Sequence, residues 1–361
     1  MKKLIIPISI FLSLIISCTS ASVYVKDSSI NYRSEMRQFV IGLSNYARQT
    51  NPQFIVIPQN GQEVVWDAGD EPGGKIIYAD YLVAIDGTGR EDTFYGYKKD
   101  GLATGQKEVD YYKTICNPYK ENGIRVLSID YTGYDENAIV RSNKLNEEAG
   151  YISFAAIERN LTVVPDVKYQ PEDENARDIL TLSDAKNFLY ILNYENYTES
   201  GIEALLQDIG NTNYDLVVMD AFYADNKQFS KEQIESLKTK KNGGKRLVIS
   251  YMSIGEAEDY RWYWHEEWKK TATRPLWLEK ENPDWAGNYK VKYWDPAWQK
   301  IIYGGDDSYL KKILDAGFDG VYLDIIDAFE YFESKPIWQP SCISLISMSV
   351  SVDSRSILIF E

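Results

Sequence analysis

The stretch Lys245–Arg261, KRLVISYMSIGEAEDYR, decides how the rest of the chain is read. An apolar, β-branched run, Leu247–Tyr251, gives way abruptly to Ser253, Gly255, Glu256, Glu258, Asp259 and Arg261. A continuous apolar run bounded by turn residues is the pattern of a strand buried on both faces. Small and acidic residues at its end put charge at the strand's C-terminal mouth, where parallel α/β folds bind their ligands. The same pattern returns in Leu216–Asp220 (LVVMD) and Gly320–Asp324 (GVYLD). Three strand candidates that each end in a carboxylate predict an acidic rim around a site.

Downstream of this stretch, the spacing predicts an aromatic helix over Tyr260–Lys270, a strand Val291–Trp294 ending at Asp295, and a helix Ser308–Ala316. Upstream lie the helix Lys231–Lys240, a helix near Gly201–Asp208, and the strand Phe188–Leu192 ending in Asn193-Tyr194. The first half opens with a helix over Ser34–Arg48, followed by a short strand, Phe54–Ile57, ending in Pro58-Gln59-Asn60-Gly61. A strand Tyr81–Ile85 then ends in Asp86-Gly87, ahead of Arg90, Glu91 and Asp92. The helix Lys107–Asn122 leads to the strand Arg125–Ile129, ending in Asp130-Tyr131, and the helix Glu136–Ala149 precedes a less regular stretch to Asp184. Eight strands separated largely by helices predict an α/β fold of the (β/α)₈ barrel type. An open doubly wound sheet is the alternative, but it needs no regular eightfold count. One detail is out of place: the chain opens on a helix, and its eighth strand is followed only by the stub Asp327–Phe332. The opening helix would fill that slot if the barrel closes end to end.

The first residues, MKKLIIPISIFLSLIISC, have a basic start, a short apolar stretch and a small residue before Cys18, as a secretory signal does. Ile15-Ile16-Ser17-Cys18 also resembles a lipobox, which would leave Cys18 lipidated and the protein held on a membrane only through that anchor; an ordinary cleaved signal is the alternative. The organisation expected is a signal over 1–18, a barrel over 30–333, and a tail over 334–361 that lacks a helical period. Cys116 and Cys342 could pair in an exported protein, but Cys116 falls in a helical pattern that favours a buried free thiol. The net charge of −15 disfavours a nucleic-acid partner. The 28 Tyr and 9 Trp offer stacking faces for sugars, although most are expected in the core.

Four segments, YDLVVMDAF, ISYMSIGEAEDYR, KVKYWDPAW and DGVYLDIIDAFEYF, resemble in order the motifs of glycoside hydrolase family 114, the endo-α-1,4-polygalactosaminidase type. FVIGLSNYARQTNPQFIVIPQNG, YLVAIDGTGREDTFYG and RVLSIDYTG resemble the same clan's last three strand units, which here precede the others. The resemblance therefore implies a circularly permuted barrel, with a join of two tandem barrels as the alternative. It implies an exported glycosidase acting on an α-linked, amino-sugar polysaccharide or oligosaccharide. Glu258 falls on the family's acidic position, while Tyr322 stands where its second acid would be, with Asp324 two residues on and on the same face.

Glycoside hydrolysis needs two carboxyl groups flanking the scissile bond, and the more desolvated or acid-crowded one keeps its proton. The candidates are Glu258 and Asp324 as the pair, Asp220 as a third carboxylate, and Glu256 as the rival of Glu258. A salt bridge from Glu258 or Asp259 to Arg261 is the structural alternative. Asn60, Asp86, Glu91, Asp130, Tyr131, Asn193, Tyr251, Asp295 and Asp327 end predicted strands and could line sugar subsites. The only histidine, His265, rules out a histidine-rich metal site. No G-x-S-x-G and no phosphate-binding glycine loop is present, so no cofactor is expected. A glycan-binding lipoprotein without catalysis is the competing reading.

Overall fold

The computed structural model describes residues 29–67, 77–170 and 173–335. The signal, Cys18, Cys342 and the C-terminal run from 336 onward lie outside the described residues. Ser29–Glu333 form one compact unit.

Eight parallel strands carry that unit. They are β1 (Ile55–Pro58), β2 (Gly87–Glu91), β3 (Arg125–Tyr131), β4 (Ile152–Ala156), β5 (Phe188–Ile191), β6 (Leu216–Asp220), β7 (Leu247–Ser253) and β8 (Gly320–Asp324). Strands β1, β5 and β6 are buried at every position, as expected of strands covered on both faces. One sheet runs β1-β8-β7-β6-β5 and a second runs β2-β3-β4. The registers Ile55↔Gly320, Asp324↔Ser253, Asp220↔Tyr251 and Ile191↔Met219 align the first, and Glu91↔Ile129 and Tyr131↔Ala156 the second. Parallel bridges Gln59↔Gly89 and Ser153↔Asn187 link the two sheets at both ends. Each strand thus has a parallel neighbour on either side, in chain order, with the last beside the first. All the C-terminal strand ends therefore face one way.

Helices α1 (Tyr32–Thr50), α2 (Ala79–Ala84), α3 (Gln106–Glu121), α4 (Glu136–Ala149), α5 (Ile202–Gly210), α6 (Lys231–Leu237), α7 (Pro296–Ile302), α8 (Tyr309–Asp315) and α9 (Ala328–Glu333) connect the strands. The opening helix α1 starts where the Asn31 side chain accepts from the Ser34 N–H. It sits beside the stub α9: Tyr32 stacks on Phe332 at 5.4 Å, and Arg33 pairs with Glu333 at 3.1 Å. None of the described helices is long and apolar enough to cross a membrane.

Four expectations need correction. Tyr81–Ile85 is not a strand; Tyr81, Leu82 and Ala84 bury one side of α2, and the strand is the unassuming GTGRE that follows. Its glycines are there for closeness: a Cβ on Gly89 would lie 1.8 Å from the Tyr322 hydroxyl. The stretch taken as irregular contains β4, whose ISFAA is short and follows directly on Gly150, the left-handed cap of α4. Val291–Trp294 does not end a parallel strand; Asn288–Val291 pairs antiparallel with Glu256–Glu258 and Leu278–Glu281 in a separate small sheet. Tyr260–Lys270 is not a helix beyond a single turn at Glu266–Lys269, because its aromatics turn inward to stack. Trp262 packs on Phe222 at 4.6 Å and Trp264 on Tyr289 at 4.7 Å, and Trp268 on Trp277 at 5.2 Å. Tertiary packing has overridden the helical spacing. Cys116 is a buried free thiol.

Candidate active site

Asp324 is the last residue of β8. Its carboxylate accepts from the Tyr251 hydroxyl of β7 at 2.7 Å and from the Ile325 N–H at 2.8 Å. Ile325 has φ +61°, a left-handed conformation that is a genuine outlier for a β-branched side chain. Its surroundings hold it there. Gly255 lies so near that a Cβ on it would sit 2.2 Å from the Ile325 carbonyl oxygen, and the Ile254 N–H donates to the Asp324 carbonyl. Strain held by close packing marks a position where the backbone serves something other than stability. Here it turns an N–H onto a carboxylate. Burial first, and then the charge of Glu91, push Asp324 up to about 7; the two hydrogen bonds pull the other way.

Glu91 is the last residue of β2, which lies beside β1 as β8 does. One oxygen accepts from Tyr131 Oη at 2.5 Å, and the other from Gln59 Nε2 at 2.8 Å and Asn60 Nδ2 at 2.9 Å. Asn60 and Asp92 are also left-handed, at φ +58° and +57°, so the chain turns sharply after β1, β2 and β8 alike. Below lies a floor of tyrosines. The Tyr190 hydroxyl donates to Gln59 Oε1 at 3.0 Å, its ring is 5.3 Å from that of Tyr322, and the buried Tyr322 hydroxyl has no partner. Asp327 is pushed to about 6 by burial, against the pull of Arg90 and with a push from Glu91. Asn60, Glu91, Tyr131, Tyr251, Asp324 and Asp327 therefore share one neighbourhood.

The other acids have different surroundings. Arg261 is buried between Asp220 and Glu258, with Nη1 and Nη2 on the two Asp220 oxygens at 3.0 and 2.6 Å and Nε on Glu258 at 2.6 Å. The second Glu258 oxygen accepts from Tyr260 Oη at 2.6 Å, and Asp220 also accepts from the Phe222 N–H. One buried guanidinium is paired with both of these carboxylates, whereas Glu91, with as many donors, has only neutral ones. Glu256 is buried as well; its Oε1 accepts from Asn282 Nδ2 and Lys290 Nζ, both at 2.9 Å, while Oε2 has no partner.

Four proposed subsite residues stand apart. Asp86 precedes β2, at the opposite end of the sheet, where it accepts from the Val56 N–H and Arg48, both at 2.8 Å. Asp130 points outward to α4, accepting from Ser142 and Asn146 at 2.6 and 2.9 Å, and burial pushes it to about 6. Asn193 is exposed and donates to the Asn160 carbonyl. Asp295 caps α7 through the Ala297 N–H. Gln59 belongs to the mouth, and Arg90, over the Tyr112 ring of α3, and Lys290, on Glu256, act on Asp327 by their charge; none of the three is among the expected site residues. Only Gln59 carried a signal, its place in the polar run closing β1. Among the described residues no group of three or more His, Cys, Asp or Glu could hold a metal ion.

Residues 171–348 match the model of glycoside-hydrolase family GH114. An uncharacterized protein of Methanocaldococcus jannaschii is 45% identical over 161 residues, 44% of this chain and 42% of its own length. Uncharacterized proteins of Deinococcus radiodurans and Thermotoga maritima are 39% and 38% identical, each over 36% of this chain and 39% and 38% of their own lengths. The matched part thus spans about two fifths of these relatives.

Proposed function

We propose, from the premise that residues 171–348 belong to glycoside-hydrolase family GH114, that this chain hydrolyses glycosidic bonds at the mouth formed by its eight C-terminal strand ends. The observation that carries the reading is the pair of carboxyls on the ends of β8 and β2, the two strands that flank β1, with opposed surroundings. Asp324 is desolvated and crowded by Glu91 into holding its proton near neutral pH. Glu91 faces three donors, the setting of a carboxylate acceptor. Asp324 then protonates the leaving glycosidic oxygen as its bond to the anomeric carbon breaks, Glu91 serves as the nucleophile or as the base of an attacking water, and water finally supplies the hydroxyl at that carbon and the proton that restores Asp324. Glu258 and Asp220, joined through Arg261, hold the wall of the site rather than the reacting atoms.

The continuous circuit of eight strands supports a closed (β/α)₈ barrel. The position of the matched segment after the first four strands, with α1 beside α9, supports a permuted order. The substrate is an α-linked polysaccharide cut internally, and the acids Asp327 and Glu256 suit amino-sugar residues.

The test is reducing-end release from α-1,4-linked galactosamine polymer and a panel of other glycans. Asp324→Asn and Glu91→Gln should each abolish release, with Glu258→Gln retaining activity within about tenfold, as expected of a group outside the proton transfers. Full activity in Asp324→Asn would overturn the assignment. Binding of a glycan without release would favour the glycan-binding reading, for which the aromatic mouth is equally suited.

The signal and Cys18 support export and lipid anchoring. In cells fed labelled palmitate, the wild-type chain should take up label and Cys18→Ala should not; equal labelling of both would remove the anchor from the model.

A further inference from the structure

The small antiparallel sheet between β7 and α7 builds outward from the mouth. Its register sets Glu256 opposite Lys290, Ala257 opposite Tyr289 and Glu258 opposite Asn288. This brings the hairpin tip, residues 282–288, alongside Glu258–Tyr260. The tip is fixed there on several sides. Asn282 Nδ2 reaches Glu256 at 2.9 Å, the Asp259 N–H donates to the Gly287 carbonyl at 2.8 Å, and the Gly287 N–H donates to Glu281 at 2.7 Å. Gly287 lies against the Tyr260 ring, whose Cδ1 is 3.7 Å from where a Cβ would stand.

Two large aromatics on this device are left in solvent. Trp285, at the tip, is 60% exposed, and Tyr260 is 52% exposed although its hydroxyl is tied to Glu258. The tryptophans Trp264, Trp268 and Trp277 are by contrast engaged with one another in ring contacts. A rigid aromatic held out by a braced hairpin costs little order on binding and presents a flat apolar face.

We propose that Tyr260 and Trp285 form a stacking track that binds sugar residues of the polymer beyond the Asp324–Glu91 pair. The track rests on the glycosidase reading for its substrate class, and it adds where the polymer lies and the prediction that long substrates are preferred. The connections run from Asp324 to Tyr251, whose hydroxyl is 2.7 Å from its carboxylate, then to Tyr260 in the turn after Glu258, within electrostatic reach of Tyr251, and then to Gly287 against the Tyr260 ring, two residues beyond Trp285.

The test measures kcat and KM of the full chain on α-1,4-linked galactosamine oligosaccharides of increasing length. Trp285→Ala should leave kcat unchanged and raise KM about tenfold for the longest oligosaccharides, the size of one good aromatic stack, while leaving KM for the shortest cleaved species within about twofold. Trp285→Tyr should restore most of the loss. Because Trp285 is exposed, neither variant endangers folding. A uniform KM change at every length, or none, would overturn the track while leaving the glycosidase reading intact. Trp285-dependent binding without cleavage, measured by tryptophan fluorescence with the same oligosaccharides, would keep the track and overturn hydrolysis. Neither binding nor cleavage would overturn both.

Discussion

Asp324→Asn should lower hydrolysis by about 10²–10⁴-fold, the usual contribution of a positioned proton donor, and yet make the folded protein more stable. The second half follows from the sign of the proton linkage. The Asp324 carboxyl has an ordinary value of 3.8 and is raised to about 7 in the fold. Between those values the unfolded chain has released the proton while the folded chain keeps it, so wild-type stability falls as pH rises through that window. Above about 7 the folded state must carry a buried charge beside Glu91, and the full penalty is present. Asparagine carries no charge at any pH, and its amide can still meet the Tyr251 hydroxyl. Thermal or urea unfolding at pH 8 should therefore show Asp324→Asn more stable by roughly 1–3 kcal/mol, a gain typical of removing a functional compromise. Near pH 4 the two proteins should be alike. The same titration predicts that wild-type kcat/KM declines on the alkaline side above about 7, as the donor loses its proton. A variant less stable than wild type at pH 8 would show that the fold favours the charged form of Asp324, and a wild-type rate that keeps rising through pH 8 would show that Asp324 is not the proton donor.

Much of this neighbourhood was legible before any coordinates, because runs such as LVVMD, LVISYMS and GVYLD state both burial and direction. A strand covered on both sides cannot afford polar residues until it reaches the mouth, so the change of chemistry marks the C-terminal end. The failures have the same root. GTGRE hid as a turn because its glycines answer to contacts far away in sequence, above all the Tyr322 ring on Gly89. The sequence sets Glu91 among possible sugar contacts and does not pair it with Asp324, since nothing local says that β2 and β8 both flank β1. Position alone suggests the mouth for Asp86 and Asp130. In a period-2 strand a one-residue difference turns a side chain to the other face, and Asp130 faces α4 for that reason. The pairing of Glu258 with Arg261 was foreseeable at a spacing of three residues, but the participation of Asp220 was not.

That three-membered cluster yields the largest structural effect. Arg261→Met should destabilise the fold by about 3–5 kcal/mol, because it leaves two buried carboxylates facing each other with no counter-charge. Arg261 is enclosed by the rings of Phe222, Tyr260 and Tyr309, with 4% of its side chain exposed, so water cannot replace its five donors. Arg261→Lys should recover little, since a single ammonium cannot span Asp220 bidentately and reach Glu258 as well. Neutralising the partners should recover much more: Asp220→Asn/Glu258→Gln/Arg261→Met should be clearly more stable than Arg261→Met alone in urea unfolding. The loss should persist in 1 M salt, where the screening length falls to about 3 Å but surface pairs alone are weakened. A loss below about 1 kcal/mol, or one that vanishes in high salt, would mean that the cluster is solvated as an ordinary surface pair is. Glu258 would then be free to act on a substrate, and the separation between a reacting pair at Asp324 and Glu91 and a load held by Arg261 would fail. If the loss is large and salt-independent, the wall that carries Tyr260 and the hairpin is held by charge pairing, and the two carboxylates most conspicuous in the sequence spend their charge on architecture.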